Sequence, residues 1–221
     1  FVYYIDKDSL ISSATRASNL CERINYMDCN NDGIEEITGF IAGTNNIHDT
    51  NINYTDSVSW LMVMDPANNF EFVFPPVKHD KLYSSVSPVF CKLNNEKYLL
   101  TIFTCSSTEK DYNGFRLKLF DTKGNLIKSQ LINNFNFNDL SIIPFQTENI
   151  LYLVDIDGNV YSTDTSLTLE KHSEIRYDDI KLGLRSNISL DIDKDGDTEH
   201  LFLGNVSGIE SLIIYRSNFN N

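Results

Sequence analysis

The sequence predicts an all-β fold of short antiparallel strands, and three observations favour it. The chain of 221 residues is rich in side chains that suit a pleated, half-buried surface, with 14 Phe and 11 Tyr besides many Ile and Val. No long segment keeps apolar residues at the i, i+3, i+4, i+7 spacing of an amphipathic helix. A plan of strand, turn and strand recurs about every fifty residues, which is typical of the four-stranded blades of a β-propeller.

Short apolar stretches place the strands in four successive units, separated by turns rich in Asn, Asp and Gly. The expected strands are 23–27, 37–42, 59–64 and 70–74 in the first unit, 87–91, 98–103, 114–120 and 125–128 in the second, 140–144, 150–154 and 160–163 in the third, and 187–190, 201–203 and 210–215 in the fourth.

We predict one domain, 1–221, because no low-complexity linker interrupts the chain. Its repeat units span about 14–77, 78–133, 134–180 and 181–221, and we assign 1–13 to the end of a preceding blade. Roughly four blades are thus expected, either as an open array or completed by blades outside this chain. A β-sandwich and a solenoid remain alternatives, since evenly spaced strands do not determine how sheets close.

One acidic pattern, D-x-[DN]-x-D-G-x-x-E, occurs at 28–36 and again at 191–199. Ca²⁺ takes about six to eight oxygen ligands, and this spacing supplies side-chain oxygens at positions 1, 3, 5 and 9 and a backbone carbonyl at position 7. The predicted ligands are Asp28, Asn30, Asp32, the Ile34 carbonyl and Glu36 in the first loop, and Asp191, Asp193, Asp195, the Asp197 carbonyl and Glu199 in the second. We therefore expect two structural calcium ions.

Neither copy is an EF-hand, because position 12, where that motif needs a glutamate, is Gly39 or Phe202. The flanking segments are apolar and strand-like, so each copy is predicted to be a loop between two strands. The alternative is an acidic surface turn, since Asp-Gly is common in hairpins. The presence of two matching copies, and the crowding of nine of the 31 acidic residues into them, favour a bound cation.

Composition excludes several classes of function. The net charge of −13 argues against nucleic acid and anionic lipid as partners, and no basic stripe opposes it. No run approaches the roughly 20 apolar residues of a membrane span, and no signal peptide is present. Because the chain starts at Phe1 inside a strand-like stretch, we expect a processed product or a piece of a longer protein.

No catalytic motif is recognisable, so we expect a binding protein rather than an enzyme. The four histidines, His48, His79, His172 and His200, lie far apart in sequence and are expected to be surface or packing residues. The polar insertion 43–57 is the best place for ligand contact, with Asn46, His48, Asn51 and Trp60 as weak candidates. The favoured alternative for Trp60 is packing within its strand.

The four cysteines, Cys21, Cys29, Cys91 and Cys105, show neither CxxC nor zinc spacing. Four cysteines allow three disulfide pairings, among which the sequence does not choose. We favour free or buried thiols and expect Cys29, at position 2 of the first acidic loop, to point outward.

These loops, between strands in units of this length, resemble the FG-GAP/VCBS repeat of integrin-like β-propellers. The resemblance covers nearly the whole chain as a unit plan, although only two loops have the full motif and 39–43 is the nearest remnant of the Phe-Gly and Gly-Ala-Pro signatures. It implies calcium ions that brace the outer edge of the blades and an unidentified protein or glycan ligand at one face.

The segments 2–10, 28–36 and 54–65 are also similar to propellers that precede membrane-bound histidine kinases of Bacteroidetes-like bacteria. That resemblance implies an extracytoplasmic sensor, periplasmic or at the cell surface, which is tethered to the membrane through parts outside this chain and does not insert itself. The alternatives are a cell-surface adhesion or protein-interaction module and a propeller-type polysaccharide lyase or hydrolase.

Overall fold

The computed structural model describes residues 2–4, 9–11, 25–46, 53–79, 84–105, 115–132, 143–147, 150–155, 157–175, 180–196 and 199–216. Regular structure in these ranges is all β-strand, apart from one 3₁₀ turn at Pro66–Asn68. Every strand pairing whose register is resolved there is antiparallel. The prediction of an all-β, antiparallel fold is therefore confirmed. None of the described residues form a helix long and apolar enough to cross a membrane.

The described strands number eighteen, and their bounds follow the chain. They are β1 Val2–Tyr4, β2 Ser9–Ile11, β3 Tyr26–Met27, β4 Glu36–Ile41, β5 Ser59–Asp65, β6 Glu71–Phe72, β7 Val77–His79, β8 Ser84–Leu93, β9 Glu96–Cys105, β10 Phe115–Asp121, β11 Leu126–Ile132, β12 Ile143–Thr147, β13 Ile150–Val154, β14 Asn159–Thr163, β15 Glu170–Glu174, β16 Ile180–Leu190, β17 Glu199–Val206 and β18 Ile209–Arg216.

Strands that are neighbours in sequence are also neighbours in space. The strands form a hairpin of β1 and β2, and then four meanders: β3 to β6 with β7 also paired to β5, β8 to β11, β12 to β15, and β16 to β18. Such up-and-down sheets need only short connections, which suits the turn-rich sequence. The structure does not show these sheets closing into a propeller, so the blades and their number remain a prediction.

The chain divides into two compact units, one formed by 1–91 with 97–135 and the other by 92–96 with 136–221. Each acidic loop belongs to one of them, 28–36 to the first and 191–199 to the second. The prediction of a single domain, 1–221, stays a prediction.

In the first unit, the sheet β3–β7 packs on the sheet β8–β11 through a core of apolar side chains. Its buried members are Cys29, Phe40, Leu61, Val63, Phe74, Val86, Phe90, Leu99, Phe103 and Phe120. In β5, four successive residues from Leu61 to Met64 are buried, so this strand is covered on both faces. Asp65, which ends β5, is consequently held in a fixed place beside the first acidic loop.

In the second unit, the sheets β12–β15 and β16–β18 enclose a smaller core. Its buried members are Tyr152, Val154, Val160, Ile175, Phe202 and Ile213. The outer strands alternate with the period of two that a half-buried sheet requires, since Phe202 and Ile213 are buried while Leu203 and Leu212 are exposed. This core holds the strands that flank the second acidic loop.

Candidate metal centre

The two acidic loops share one backbone conformation. Position 4 has a left-handed backbone in both, with φ of 67° at Asn31 and 60° at Lys194. Position 6 is left-handed again, with φ of 87° at Gly33 and 97° at Gly196, which explains why both copies have glycine there. The repeat in sequence is thus a repeat in local structure, and both loops connect two strands, as predicted.

The same hydrogen bonds close both loops. In the first, the Asp28 carboxylate accepts the Gly33 N–H at 3.2 Å, and the Glu36 carboxylate accepts the Cys29 N–H at 2.6 Å. The second loop repeats these contacts one for one: the Asp191 carboxylate accepts the Gly196 N–H at 3.0 Å, and the Glu199 carboxylate accepts the Ile192 N–H at 2.9 Å. The acids at positions 1 and 9 therefore organise the loop backbone as well as offering oxygen atoms to a ligand.

The first loop brings together three carboxylates, one of which the sequence analysis missed. Carboxylate oxygens of Asp32, Glu36 and Asp65 lie within 4.8 Å of one another. Asp65 comes from the end of β5, where Met64 pairs with Ile37, so one further step along the strands sets Asp65 opposite Glu36. One Asp65 oxygen, Oδ1, also accepts the N–H groups of Ala67 and Asn68 in the 3₁₀ turn, which fixes its rotamer.

Glu36 is the most unusual of the three acids because its side chain is fully buried, with 0% of its surface exposed. Its Oε2 accepts the Cys29 N–H, but its Oε1 has no hydrogen-bond partner among the described residues. A buried, unsatisfied carboxylate oxygen beside two other carboxylates is costly unless a cation lies between them. Oxygen donors of this kind are the ligands that hard cations prefer, so the residues present fit Ca²⁺.

The other predicted ligands of the first loop lie at its exposed side. Asn30 accepts the Asp32 N–H at 2.8 Å, and its amide donates to the Asp32 carboxylate at 3.1 Å. Lys97 binds the outside of the loop, where its Nζ donates to the Asp28 carbonyl and, at 2.7 Å, to Asn31 Oδ1. This ammonium thus contacts the loop without entering the group of three carboxylates.

The prediction that Cys29 points outward is wrong. Its side chain is 5% exposed and belongs to the core of the first unit, whereas Ile192, at the same position of the second loop, is 45% exposed. The difference lies in the surroundings, because the core between the first two meanders extends under Cys29. Burial, together with the hydrogen bond and charge of Glu36, raises the pKa of the Cys29 thiol to about 12.

Cys29 and Cys91 are both free, buried thiols, as favoured from the sequence. Burial raises the pKa of Cys91 to about 12 as well. Cys21 and the side chain of Cys105 lie outside the described part of the chain.

The second loop also gathers acids, but a guanidinium lies among them. Carboxylate oxygens of Asp191, Asp193 and Asp195 lie within 4.8 Å of one another. Arg216, the last residue of β18, pairs across the sheet with Glu199. Its Nε donates to Glu199 at 2.8 Å, its Nη2 binds Asp193, and its Nη1 lies 3.3 Å from Asp195. Asp197 lies outside the described residues.

The charges of this group reinforce one another. Hydrogen bonds from Arg216 hold the pKa of Asp193 below its ordinary value, and the same contacts to Asp193 and Glu199 raise the pKa of Arg216. Next to Glu199, burial lowers the pKa of His200 to about 4, with the Glu199 charge partly opposing that shift. The described loop 191–196 with Glu199 is therefore an acidic group that a protein cation already compensates.

Two further acidic hairpins show what a plain acidic turn looks like in this chain. Asp121 accepts the N–H of Lys123 and both the N–H and the amide of Asn125 at 2.8 to 2.9 Å. Asp155 does the same with Asp157 and Asn159. Each carboxylate is satisfied by its own turn. The first acidic loop differs, since it leaves a buried Glu36 oxygen without such a donor.

The candidate ligand contacts in the insertion are partly described. Asn46 is exposed, and its backbone N–H donates to the Asp56 carboxylate at 2.9 Å. Trp60 is half-buried, and its Nε1 donates to the Thr55 carbonyl at 3.0 Å while its ring meets Tyr54 edge-on at 5.1 Å. These contacts anchor the described end of the insertion to β5. His48 and Asn51 lie outside the described residues.

The described histidines pack against aromatic rings. His79 is buried and stacks on Phe103 at 4.9 Å, and His172, which is exposed, lies edge-on to Tyr152 at 5.3 Å. His200 is buried near Tyr215.

With this geometry established, comparison with known proteins adds no relative. No family model matches the chain, and neither the curated proteins nor the solved structures contain a match. The resemblance to FG-GAP/VCBS propellers therefore rests on the sequence pattern alone and stays a prediction.

Proposed function

We propose that this chain is a calcium-stabilised, non-catalytic binding module whose first acidic loop holds a structural Ca²⁺. The proposal rests on Glu36, a fully buried carboxylate with an unsatisfied oxygen that faces the carboxylates of Asp32 and Asp65. A divalent cation at this point satisfies the oxygen and neutralises the repulsion among the three acids.

Calcium suits this donor set better than other common metals. The three gathered ligands are carboxylates, and the amide of Asn30 and the backbone of the same loop add only oxygen donors. Zinc prefers nitrogen and sulfur ligands in a closed tetrahedron. Magnesium demands a near-ideal octahedron and keeps several waters, whereas calcium accepts an irregular shell with more oxygen ligands from the protein.

The ion would act as a brace. Asp32 lies in the loop, Glu36 begins β4, and Asp65 ends β5, so a single ion ties the loop to two paired strands. Binding of this kind adds its free energy to the folded state alone, because the three ligands come together only on folding.

We extend the proposal to architecture and location. The four meanders are the sheets of propeller blades, and the chain is an extracytoplasmic sensor portion with a protein or glycan ligand. Sequential antiparallel order in every meander supports the blades. The similarity of 54–65 to kinase-linked propellers supports the sensor role, and calcium modules outside the cell characteristically bind at roughly 10⁻⁴ to 10⁻³ M.

Calcium titration calorimetry of three chains tests the metal site. We expect the wild-type chain to bind Ca²⁺ with a dissociation constant of roughly 10⁻⁴ to 10⁻³ M. Glu36→Gln should weaken binding by at least about tenfold, since it removes a charged ligand. Glu35→Gln is the matched control, because Glu35 is the exposed neighbour of Glu36, and it should bind within about threefold of wild type. Equal affinities in all three chains would exclude Glu36 as a ligand.

The sensor role has a separate test in the gene. A histidine kinase encoded downstream in the same reading frame is the expected result. A cell-wall anchor or further adhesive repeats in its place would replace the sensor role with adhesion, and turnover of a glycan by the purified chain would overturn the non-catalytic assignment.

A further inference from the structure

Asp65 and Arg216 occupy equivalent places in two different sheets. In each sheet the glutamate at position 9 of the acidic loop begins a strand, Glu36 in β4 and Glu199 in β17. The next strand in sequence pairs antiparallel with it and ends at the residue opposite that glutamate. In the first sheet that residue is Asp65, and in the last sheet it is Arg216. The two sites thus differ in the sign of the charge at one corresponding position.

The number of acids does not distinguish the sites. Each has four carboxylates, from Asp28, Asp32, Glu36 and Asp65 in the first and from Asp191, Asp193, Asp195 and Glu199 in the second. The distinction lies in how the position 9 carboxylate is satisfied. Oε1 of Glu36 has no donor within the described residues, whereas Oε1 of Glu199 accepts a hydrogen bond from Arg216 at 2.8 Å.

Arg216 supplies at the second loop what a metal ion would supply. Its guanidinium contacts three carboxylates, those of Glu199, Asp193 and Asp195. A planar fork with several N–H donors forms strong charge-assisted hydrogen bonds with such a group. A divalent ion that entered there would have to displace the guanidinium, break those bonds and then tolerate a neighbouring positive charge.

We propose that the residue opposite position 9 decides which loop binds a metal ion: Asp65 is an additional Ca²⁺ ligand of the first loop, and Arg216 is a built-in cation that closes the second. The chain then binds one Ca²⁺ ion, although its sequence contains two complete loop motifs. This inference rests on the proposed function for the first loop and adds to it the ligand and the stoichiometry.

The test counts bound Ca²⁺ by native mass spectrometry and calorimetry, with variants on both sides of the comparison. We expect one ion in the wild-type chain and at least about tenfold weaker binding in Asp65→Asn, which keeps the Oδ1 acceptor for the 3₁₀ turn but removes the charge. Arg216→Gln should gain a second ion, which the double variant Arg216→Gln/Asp193→Asn should lose. Lys128→Gln removes a positive charge from an exposed site on β11 and should still bind one.

The reciprocal variant keeps the test decisive if Arg216→Gln fails to fold. Asp65→Arg sets a guanidinium opposite Glu36 and should abolish the ion of the first loop while the chain stays folded in chelator, as judged by circular dichroism. Wild-type affinity in Asp65→Arg would overturn the proposal.

The outcomes separate this inference from the proposed function. Two ions in the wild-type chain, or one ion in Arg216→Gln, would overturn the role of Arg216 and leave the calcium site of the first loop in place. An ion that Asp193→Asn removes and Asp32→Asn leaves would reverse the assignment of the loops and overturn both. No ion at millimolar calcium would remove the proposed function itself.

Discussion

The loops 28–36 and 191–199 have the same motif and the same backbone, yet their surroundings give them opposite electrostatic character. Both have left-handed residues at positions 4 and 6 and the same two closing hydrogen bonds. The first loop leaves a buried carboxylate oxygen unsatisfied, and the second has its acids paired with Arg216. The comparison teaches that the motif specifies the loop conformation, while a neighbouring strand decides what the loop can bind.

The loops also differ in how they join the rest of their units. Position 2 is Cys29 in the core of the first unit but the half-exposed Ile192 in the second. Glu36 and Cys29 are both buried, so a change in the first loop acts directly on a packed core. The acids at positions 1, 3 and 5 of the second loop are exposed. We therefore expect changes in the first loop to have the larger effects.

The strongest way to break the comparison is to neutralise the position 9 glutamate in each loop. In chelator, Glu36→Gln should raise the free energy of unfolding by about 1 kcal/mol, because it removes a buried, uncompensated charge. It should also abolish the gain from calcium, which is about 2 kcal/mol at a free concentration fifty times the dissociation constant. Urea unfolding with and without calcium measures both quantities.

Glu199→Gln is the counterpart and should behave in the opposite way. It removes a partner of Arg216, so it should lower the unfolding midpoint by the same amount with calcium and with chelator. A Glu36→Gln chain that is less stable than wild type in chelator, or a calcium-dependent effect of Glu199→Gln, would contradict the electrostatic difference between the loops.

A smaller effect should be equal in the two loops. Gly33→Ala and Gly196→Ala force an alanine into a left-handed conformation, which costs about 1 kcal/mol, and a Cβ meets no atom within 4 Å at either position. Both variants should therefore lose similar stability in chelator, as measured by urea unfolding. A loss confined to one loop would show that the shared backbone conformation does not have a shared energetic role.

The smallest expected effect on stability concerns position 2, where alkylation distinguishes the loops. Because Cys29 is buried and its pKa is raised to about 12, iodoacetamide at pH 8 should modify it at least about 100-fold more slowly than an exposed thiol. Ile192→Cys creates that exposed thiol at the equivalent position. Peptide mapping by mass spectrometry gives both rates, and equal rates would contradict the burial of Cys29.

The fold class and the loops could be predicted from sequence because their causes are local. Strand-forming residues between turn sequences are visible in single segments, and predicted strands such as 98–103 and 150–154 lie within or on β9 and β13. Likewise, glycine at position 6 follows from the backbone conformation of the loop itself.

The partners of the loops could not be predicted because they depend on strand register. Asp65 precedes a proline after an apolar strand and was interpreted as a simple turn residue, and only the pairing of Met64 with Ile37 reveals its proximity to Glu36. Arg216 meets Glu199 through the register of β17 and β18. The burial of Cys29 likewise depends on packing between two sheets, which no local pattern contains.

The most direct measurement of the central claim is a thermal melt in EDTA and in a few millimolar CaCl₂ for the wild-type chain, Asp32→Asn and Asp195→Asn. We predict that calcium raises the wild-type midpoint by several degrees, that Asp32→Asn loses this rise, and that Asp195→Asn keeps it. A midpoint that calcium does not change, or a rise that depends on Asp195 rather than Asp32, would contradict the account.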